Sequence, residues 1–402
     1  MKKIIVVGGG FTGLVTAYYL GRAGFRVELH EANDRLGGLI STEKTPNGLA
    51  ESAANGLMLT EDVQNLFSDL GLEYLPMRRK FKRKRFIFRN GLRRWPLGFL
   101  ETLGFLVKGP FKMIFCKKAL TPHVRESIWQ WGCRCIGEAA TRYFLVPALQ
   151  GIYAGDARRL SAELIFGPMI NAKKNGRKYR GTVAPREGMG QLITALQQAL
   201  SRQGAEIFLN SRYNLSNANI PHVICTSAHQ ASQLIADFSK ETSQLLQKIE
   251  TLPVLSVTVF YKVAHKQVRG FGCLFAEDQN FKALGVLSNS YIFENRGGYS
   301  ETWIFGGVRS AEMLRTSDAE IIATVQQERH QMLGESGEII DSRIHRWPEA
   351  LPHYTLALKE ILDQLKPPKN IYLQGNYRGG IGLSKILSRT HELVAQITRD
   401  QT

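Results

Sequence analysis

The first thirty residues show a strand–helix–strand pattern of apolar and polar positions. Residues 4–7 are a short, fully apolar run that ends in glycines, which is typical of a buried parallel strand. Apolar side chains then recur at helical spacing over residues 14–23, and residues 26–31 alternate as a second strand. The pattern predicts a strand–helix–strand unit at the start of the chain.

Helix and strand patterns continue to the other end of the chain. Residues 254–262 alternate between apolar and polar side chains, which predicts a strand with one exposed face. Because strand–helix elements occur at both ends, the pattern predicts one α/β domain that is assembled from non-contiguous segments and interrupted by insertions. Further helices are predicted at residues 61–70, 123–150, 188–203 and 380–397, and further strands at 205–209, 222–226, 283–287, 302–308 and 371–374.

Composition limits the class of protein. A chain of 402 residues with 44% apolar residues and 38 glycines is globular and long enough for two or three packed units. No uncharged apolar run approaches the roughly 20 residues that span a bilayer. The five cysteines lack the spacing of a zinc site or of a disulfide framework. We therefore expect free thiols in a reducing cytoplasm, no transmembrane helix and no metal site.

The positive charge is concentrated in one stretch. Residues 78–118 hold fourteen Lys and Arg side chains and one acid, Glu101, which is a net +13 of the total +17. Apolar side chains are interleaved with these cations, a combination that favours contact with an anionic membrane. The alternative is a solvated basic face over a core helix; nucleic-acid binding is disfavoured because no nucleic-acid-binding module is present. The interleaved residues include Trp95, Phe99, Leu103, Phe105 and Leu106.

A glycine-rich loop joins the first predicted strand to the first predicted helix. Gly8, Gly10 and Gly13 occupy the three glycine positions of G-x-G-x-x-G. In that motif the first glycine permits a tight turn, the second lets the backbone approach a diphosphate, and the third lets helix and strand pack closely. Glu31 ends the second predicted strand, where a carboxylate can accept hydrogen bonds from ribose hydroxyls. This arrangement predicts a dinucleotide site and disfavours a 2′-phosphate.

A second glycine pair distinguishes between the possible dinucleotides. The run from Glu31 to Gly38 reads E-x(3)-R-x-G-G, with Arg35, Gly37 and Gly38 at the defined positions. It resembles the extended FAD fingerprint of the flavin amine oxidase superfamily. Arg35 can neutralise phosphate charge, and the glycines let the backbone close over the diphosphate. The resemblance implies FAD rather than NAD.

Further segments resemble the protoporphyrinogen/coproporphyrinogen oxidase family within that superfamily. They include ESAANG, in which Ala53 stands where the family usually has glycine, and the segments GIYAGD, GFGCL and GNYRGGIGL. The matches run in the same order along nearly the whole chain. They cover residues 51–56, 125–128, 147–161, 185–192, 270–293 and 375–383.

The family resemblance implies a fold of the α/β class. Its parts are a Rossmann-like FAD-binding domain assembled from non-contiguous segments, a mixed-sheet substrate domain and a helical membrane-contacting insertion. We expect the FAD-binding domain at residues 1–76, 185–253 and 355–402, the insertion at 77–184 and the substrate domain at 254–354.

The resemblance also implies which residues contact the cofactor. FAD is expected to bind noncovalently, because the C-terminal flavin-contacting segment holds no Cys that could form a thioether. The expected FAD contacts are Gly8, Gly10, Phe11, Thr12, Gly13, Glu31, Ala32, Arg35, Gly37, Gly38, Ala53, Ala54, Asn55, Gly56, Gly375, Asn376, Gly380, Ile381 and Gly382.

The substrate position departs from the family in one respect. Leu100 stands where some relatives place an Arg that holds a substrate propionate, so Arg93 or Arg94 would have to substitute. The substrate that the resemblance implies is a porphyrinogen, a flat and apolar macrocycle. It requires an apolar slot with one or two cations at its mouth. The expected substrate contacts are Gly151, Ile152, Phe271, Leu274 and Arg94.

The reaction that the family resemblance implies is the conversion of a porphyrinogen to its porphyrin in haem biosynthesis. The flavin ring carries this six-electron dehydrogenation, so no catalytic side chain is assigned. The substrate is protoporphyrinogen IX or coproporphyrinogen III, and dioxygen or a quinone reoxidises the flavin. The expected partners are the porphyrinogen, the electron acceptor and an anionic membrane, without nucleic acid. The expected location is cytoplasmic and peripheral, on the inner face of the membrane.

Two alternatives differ from this function. An amine oxidase or a carotenoid-type desaturase shares the FAD fingerprint, although the GIYAGD and GFGCL segments argue against both. A non-catalytic relative that binds flavin or a porphyrin is the second alternative. The choice of porphyrinogen, the electron acceptor and the oligomeric state stay open at this point.

Overall fold

The structure, a computed structural model, describes residues 2–115, 120–174, 181–215 and 219–401. Lys117 and Lys118, which end the basic stretch, lie outside the described residues. Within those ranges, no helix has both the length and the apolar character needed to cross a membrane. No group of three or more His, Cys, Asp or Glu side chains in the same ranges is placed to hold a metal ion.

A strand overlaps each of the eight positions at which the sequence pattern predicts one. The strands are β1 Lys3–Val7, β2 Arg26–His30, β3 Thr42–Thr45, β4 Gly48–Glu51, β5 Leu57–Met58, β6 Tyr74–Pro76, β7 Arg85–Phe88, β8 Leu92–Arg93, β9 Thr182–Pro185, β10 Glu206–Phe208, β11 His222–Ile224, β12 Thr251–Tyr261, β13 Gly272–Phe275, β14 Gly285–Ser288, β15 Ser300–Gly306, β16 Ile339–Pro352 and β17 Ile371–Leu373.

Helices connect and cover these strands. The helices are α1 Phe11–Arg22, α2 Glu61–Asp69, α3 Arg79–Lys82, α4 Phe99–Phe115, α5 Ile128–Ile136, α6 Glu138–Ala140, α7 Val146–Tyr153, α8 Ala162–Lys174, α9 Met189–Arg202, α10 Ala228–Ile235, α11 Lys240–Gln247, α12 Asn289–Ile292, α13 Asp318–Leu333, α14 Leu356–Gln364 and α15 Leu383–Gln401, with a π-helical turn at Thr141–Leu145 and a 3-10 turn at Asn376–Arg378.

A parallel sheet collects strands from three distant parts of the chain. Its order is β10–β2–β1–β11–β17, and every pairing in it is parallel. One face packs against α1, α9 and α15 in a single apolar core. The opposite face, through Ile224, Ile371 and Leu373, packs against α10, α11 and α14. Apolar packing on both faces of the sheet is the reason that β1 and β17 are nearly continuous hydrophobic runs, whereas β2 alternates.

A mixed sheet forms the second layer system. Its order is β16–β12–β15–β14–β13–β7–β8, with β7 and β13 parallel and the other neighbours antiparallel. α13 packs against it through Ile321 and Val325. β7 and β8 come from residues 77–184, which the sequence predicts as a helical insertion. This part of the chain therefore also contributes two strands to the mixed sheet.

The predicted exposed face of β12 is wrong. Every side chain from Leu255 to Tyr261 is buried. β12 lies between β15 and β16, and one of its buried polar side chains, Thr258, is paired inside the protein. Thr258 Oγ1 lies 2.9 Å from Thr302 Oγ1 on the neighbouring strand. The alternation of apolar and polar residues is real, but both faces of the strand are buried, and the Thr258 hydroxyl bonds to another hydroxyl in place of water.

Two long elements have no counterpart in the predicted pattern. β16 is the edge strand of the mixed sheet, and it contains Pro348 and several charged residues, so it lacks a period-two apolar signal. α13 begins with a capping box in which the side chains of Ser317 and Glu320 bond reciprocally to backbone N–H groups. The S-x-x-E spacing at these positions is a sequence signal for that helix start.

Candidate functional site

The carboxyl ends of three parallel strands meet at one edge of the sheet. β1, β11 and β17 are neighbours, so the loops that follow them lie side by side. A Cβ atom on Gly8 would lie 2.9 Å from the carbonyl oxygen of Cys225. A Cβ atom on Gly375 would lie 3.4 Å from the carbonyl oxygen of Thr226. The fold thus brings the N-terminal glycine loop together with the C-terminal segment 375–382.

The glycine loop contains two glycines with different roles. A Cβ atom on Gly13 would lie 1.8 Å from the carbonyl oxygen of Gly8, so the packing of α1 on the loop itself excludes a side chain there. A Cβ atom on Gly10 would have only the Cα of Gly38 within reach, at 3.9 Å. The protein therefore does not need glycine at position 10, and the open space beside it is a cradle that a ligand can occupy. α1 begins there without a side-chain cap, which leaves its first N–H groups directed at that space.

Glu31 is buried at the end of β2, as predicted, and its carboxylate is fixed against the glycine loop. Oε2 accepts a hydrogen bond from the backbone N–H of Gly9 at 2.7 Å. Oε1 accepts hydrogen bonds from the backbone N–H and the side-chain amide of Asn33, at 2.9 and 2.6 Å. Oε2 retains acceptor capacity for a further donor such as a ribose hydroxyl.

The second glycine pair lies directly against the first loop. The N–H of Gly37 donates to the carbonyl oxygen of Gly9 at 2.8 Å, and Gly10 and Gly37 form a parallel bridge. Gly38 packs against Gly10, since a Cβ atom on Gly38 would lie 3.1 Å from the Cα of Gly10. Arg35 is exposed at the rim and donates to the carbonyl oxygen of Gly38 at 2.7 Å. The two glycine motifs, about thirty residues apart, therefore form one backbone-lined cleft.

The segment Ala53–Gly56 connects β4 to β5 and is partly buried. The indole Nε1–H of Trp347 donates to the carbonyl oxygen of Ser52, at 2.9 Å. At the other end of the segment, a Cβ atom on Gly56 would lie 2.9 Å from the ring of Phe293. From the mixed-sheet region, Trp347 thus contacts the residue before the segment, and Phe293 contacts its last residue.

The C-terminal segment depends on a residue that the sequence reasoning missed. The Tyr354 hydroxyl donates to the carbonyl oxygen of Asn376 and accepts a hydrogen bond from the N–H of Gly380 at 2.6 Å. Burial raises the pKa of Tyr354 well above its ordinary value, so the phenol stays neutral. Arg389 donates to Gln374 Oε1 at 2.8 Å, and burial lowers its pKa to about 10. No local pattern marks Tyr354, because its partners lie more than twenty residues away.

Four of the predicted substrate residues lie on adjacent elements. Gly151 of α7 contacts β13, and a Cβ atom on it would lie 2.7 Å from Leu274 Cδ2. Ile152 is 54% exposed beside this contact. Phe271 lies immediately before β13, and the guanidinium of Arg85 covers its ring at 4.2 Å. Arg94, the fifth, is exposed at the end of β8.

Replacing Glu31 with alanine should weaken FAD binding by about tenfold, since it removes an acceptor for the ribose and leaves the buried N–H of Gly9 unpaired. Titration of apoprotein with FAD, followed by flavin fluorescence, measures the dissociation constant. Lys44→Ala, which removes an exposed ion pair with Glu187, is a matched control and should change it little. Unchanged affinity in the Glu31 variant would exclude this carboxylate from the ribose site.

Comparison with known proteins links this geometry to a family. Residues 11–214 match the family model described as flavin containing amine oxidoreductase. The chain is 23% identical to protoporphyrinogen oxidase 1 of Arabidopsis thaliana chloroplasts, over 98% of this chain and 87% of that protein. It is 22% identical to coproporphyrinogen III oxidase of Bacillus subtilis, over 95% of each chain. It is 26% identical to human protoporphyrinogen oxidase, over 89% of each.

Solved structures share the fold. A protein of Exiguobacterium sp. 255-15 with a provisional protoporphyrinogen oxidase assignment superposes with a TM-score of 0.78 at 20% identity, over 99% of both chains. A variant of putrescine oxidase superposes with a TM-score of 0.75 at 16% identity, over 98% of this chain and 99% of that one. These likenesses concern the fold alone.

Proposed function

Because the chain belongs to the flavin-containing amine oxidoreductase family, we propose that it oxidises a porphyrinogen to the porphyrin in haem biosynthesis. It is an FAD-dependent oxidoreductase and binds FAD noncovalently. The observation that carries the proposal is the similarity, over 89–98% of this chain, to protoporphyrinogen and coproporphyrinogen oxidases from plants, a bacterium and human.

We propose a domain organisation that the two sheets support. Residues 1–76, 185–253 and 355–402 form a Rossmann-like FAD-binding domain, since they supply all five strands of the parallel sheet. Residues 254–354 form the substrate domain around the mixed sheet. Residues 77–184 form an insertion that contributes β7 and β8 to that sheet and contains the basic stretch at residues 78–118.

The residues present fit FAD. The open space beside Gly10 is proposed to hold the FAD diphosphate against the first N–H groups of α1, and Glu31 is proposed to accept hydrogen bonds from the ribose hydroxyls. The segments 53–56 and 375–382 are proposed to contact the flavin ring. Bound FAD supplies a ring that accepts hydride from carbon. The role of the protein is to hold that ring, orient the substrate and exclude water.

The substrate is proposed to bind beside the contact between α7 and β13. Gly151 lets α7 approach Leu274 closely, and Ile152 and Phe271 add apolar surface for a flat macrocycle. Arg94 is exposed, and it is proposed to bind a carboxylate of the substrate, where Leu100 replaces the Arg of some relatives. No side-chain base is assigned, and dioxygen or a quinone serves as the final electron acceptor.

The test is anaerobic mixing of the oxidised protein with each porphyrinogen. Bleaching of the flavin absorbance by protoporphyrinogen IX or by coproporphyrinogen III is the expected result and identifies the substrate. Porphyrin fluorescence should appear only after dioxygen or a quinone is admitted, because the flavin must be reduced and reoxidised repeatedly to remove six electrons. Arg94→Gln should slow bleaching only at low substrate concentration. Arg93→Gln, whose parent side chain already donates to the carbonyl oxygen of Arg89, is the comparison. Bleaching by putrescine or another amine instead would overturn the proposal, as would stoichiometric flavin that no porphyrinogen reduces.

We further propose that the basic stretch docks the protein on an anionic membrane, on its cytoplasmic face. In the described part of α4, Phe99 and Leu100 are 85% and 78% exposed, and Leu103 and Leu106 are about half exposed. Such exposed apolar side chains beside many cations suit a membrane interface better than open solvent. A poorly soluble porphyrinogen would then reach the slot from the lipid.

Co-sedimentation with vesicles checks this docking. Anionic vesicles should retain the protein at low salt, and salt should weaken the binding because charges are screened within about 10 Å at 0.1 M. Phe99→Asp should weaken retention at every salt concentration, whereas Val263→Asp, at a 73% exposed site outside the stretch, should not. If the protein stays in the supernatant with anionic vesicles at low salt, the basic stretch is a solvated face.

A further inference from the structure

Glu51 is the centre of a buried polar cluster between the two sheets. Its carboxylate is 3% exposed, and Oε1 lies 2.8 Å from Nη1 of Arg296. Oε1 also accepts the N–H of Met189, the first residue of α9, at 3.0 Å. Oε2 accepts the hydroxyl of Thr42 at 2.6 Å. We name these four residues the Glu51 cluster.

Arg296 reaches this cluster from the mixed-sheet region, 245 residues along the chain from Glu51. Its side chain is 4% exposed, and its Nη2 has no hydrogen-bond partner among the described residues. Burial raises the pKa of the Glu51 carboxyl, and Arg296 is the strongest opposing influence. A charged pair this deeply buried contributes little net stability, because apolar residues of similar volume often stabilise the folded state equally well. What the pair does supply is a fixed geometry.

The loop that carries Arg296 is also joined to the β3–β4 hairpin through its backbone. The N–H of Leu49 donates to the carbonyl oxygen of Arg296 at 3.1 Å, and the N–H of Gly298 donates to that of Asn47 at 2.8 Å. Gly48 and Gly297 form an antiparallel bridge between these two bonds. The hairpin that leads into the segment 53–56 is thus docked on this loop.

The same loop contacts the far end of that segment. Phe293 packs against Gly56, where a Cβ atom would lie 2.9 Å from its ring, and the Arg296 guanidinium lies 5.1 Å from the centre of the same ring. Arg296 therefore holds the segment 53–56 at its start, through the ion pair with Glu51. Phe293 holds it at its end, through ring packing against Gly56.

We propose that Arg296 is a positioning residue that sets the environment of the bound flavin by fixing the segment 53–56 from the substrate domain. The inference rests on the proposed function in one respect, that this segment contacts FAD. Arg296 itself touches Glu51 and Phe293, and it acts on the flavin only through the segment they hold. Displacement of that segment changes the packing and hydrogen bonding of the flavin, and with them its reduction potential and affinity.

The chain offers a matched control for a purely structural role. Arg329 and Glu301 form a second buried ion pair in the mixed sheet, with 1% and 0% exposure and Nε 3.1 Å from Oε2. Arg329 also has an Nη2 without a hydrogen-bond partner among the described residues. Arg329 stacks over the ring of Tyr261 as Arg296 does over Phe293, but it has no contact with the segment 53–56.

The experiment compares Arg296→Met and Arg296→Lys with Arg329→Met and Arg329→Lys, all as purified holoprotein. The reduction potential of the bound flavin is measured by equilibration with redox dyes, together with its visible circular dichroism, the FAD dissociation constant and the melting temperature. Both Met variants should lose thermal stability. Only Arg296→Met should shift the flavin potential and dichroism and raise the dissociation constant about tenfold. Arg296→Lys, which keeps the charge, should restore part of each flavin property.

A further variant covers the case in which Arg296→Met does not fold. Phe293→Leu keeps the ion pair but loosens the packing at Gly56, and it should shift the flavin dichroism in the same direction as Arg296→Lys. Equal flavin properties in the Arg296, Phe293 and Arg329 variants would overturn the positioning role while leaving the proposed function intact. A parent protein that holds no FAD would overturn the proposed function itself.

Discussion

Gly10→Ala is expected to weaken FAD binding by about 10- to 100-fold while leaving the stability of the apoprotein unchanged. Gly10 has φ −68° and ψ 176°, which alanine adopts without strain. The added methyl group would meet only the Cα of Gly38, at 3.9 Å, so the protein alone accommodates it. It would, however, fill the cradle that the FAD diphosphate needs. Calorimetric titration of apoprotein with FAD and thermal unfolding without FAD measure the two effects separately.

Gly13→Ala is the matched comparison in the same loop. Its methyl group would lie 1.8 Å from a backbone oxygen, so this variant should lose apoprotein stability as well as FAD. Gly104→Ala, on an exposed helix position with no atom within 4 Å, should leave FAD affinity unchanged and raise the stability by about 0.5–1 kcal/mol, the gain in helix propensity. Undiminished FAD affinity in Gly10→Ala would show that no ligand occupies the cradle.

Arg329→Met should lower the free energy of unfolding by about 3–5 kcal/mol, because it leaves a buried carboxylate without its cation. Arg329 Nε lies 3.2 and 3.1 Å from the two oxygens of Glu301, and neither side chain is more than 1% exposed. The guanidinium also lies 4.1 Å from the centre of the Tyr261 ring. Urea unfolding at saturating FAD, followed by tryptophan fluorescence, measures the loss.

A double variant separates the charge effect from lost packing. Arg329→Met combined with Glu301→Gln removes both charges, so it should recover part of the stability that Arg329→Met loses. Arg142→Met, which breaks an exposed i,i+4 pair with Glu138, should cost less than about 1 kcal/mol. If Arg329→Met also lowered the free energy of unfolding by less than about 1 kcal/mol, the buried pair would not stabilise the mixed sheet.

The sequence alone determined the cofactor-binding half of the candidate site. Gly8 to Gly13, Glu31 and Arg35 to Gly38 lie within one strand–helix–strand unit, where short-range spacing decides geometry. The apolar run at 371–374 adds the C-terminal segment, because parallel strands that share a sheet end at the same edge. The family resemblance rests on these local signals and on further short segments in the same order.

Only the tertiary structure decided what holds that site in place. Glu51 and Arg296 are 245 residues apart, and each is an ordinary charged residue in its own neighbourhood of the sequence. Tyr354 anchors the C-terminal segment from just beyond β16, an edge strand whose prolines and charges hide its period. β12 alternates as a half-exposed strand does, yet in the fold the side chains on both of its faces are buried from Leu255 to Tyr261. Burial and ion pairing depend on which elements become neighbours in the fold. The sequence pattern shows only which side chains each element contains.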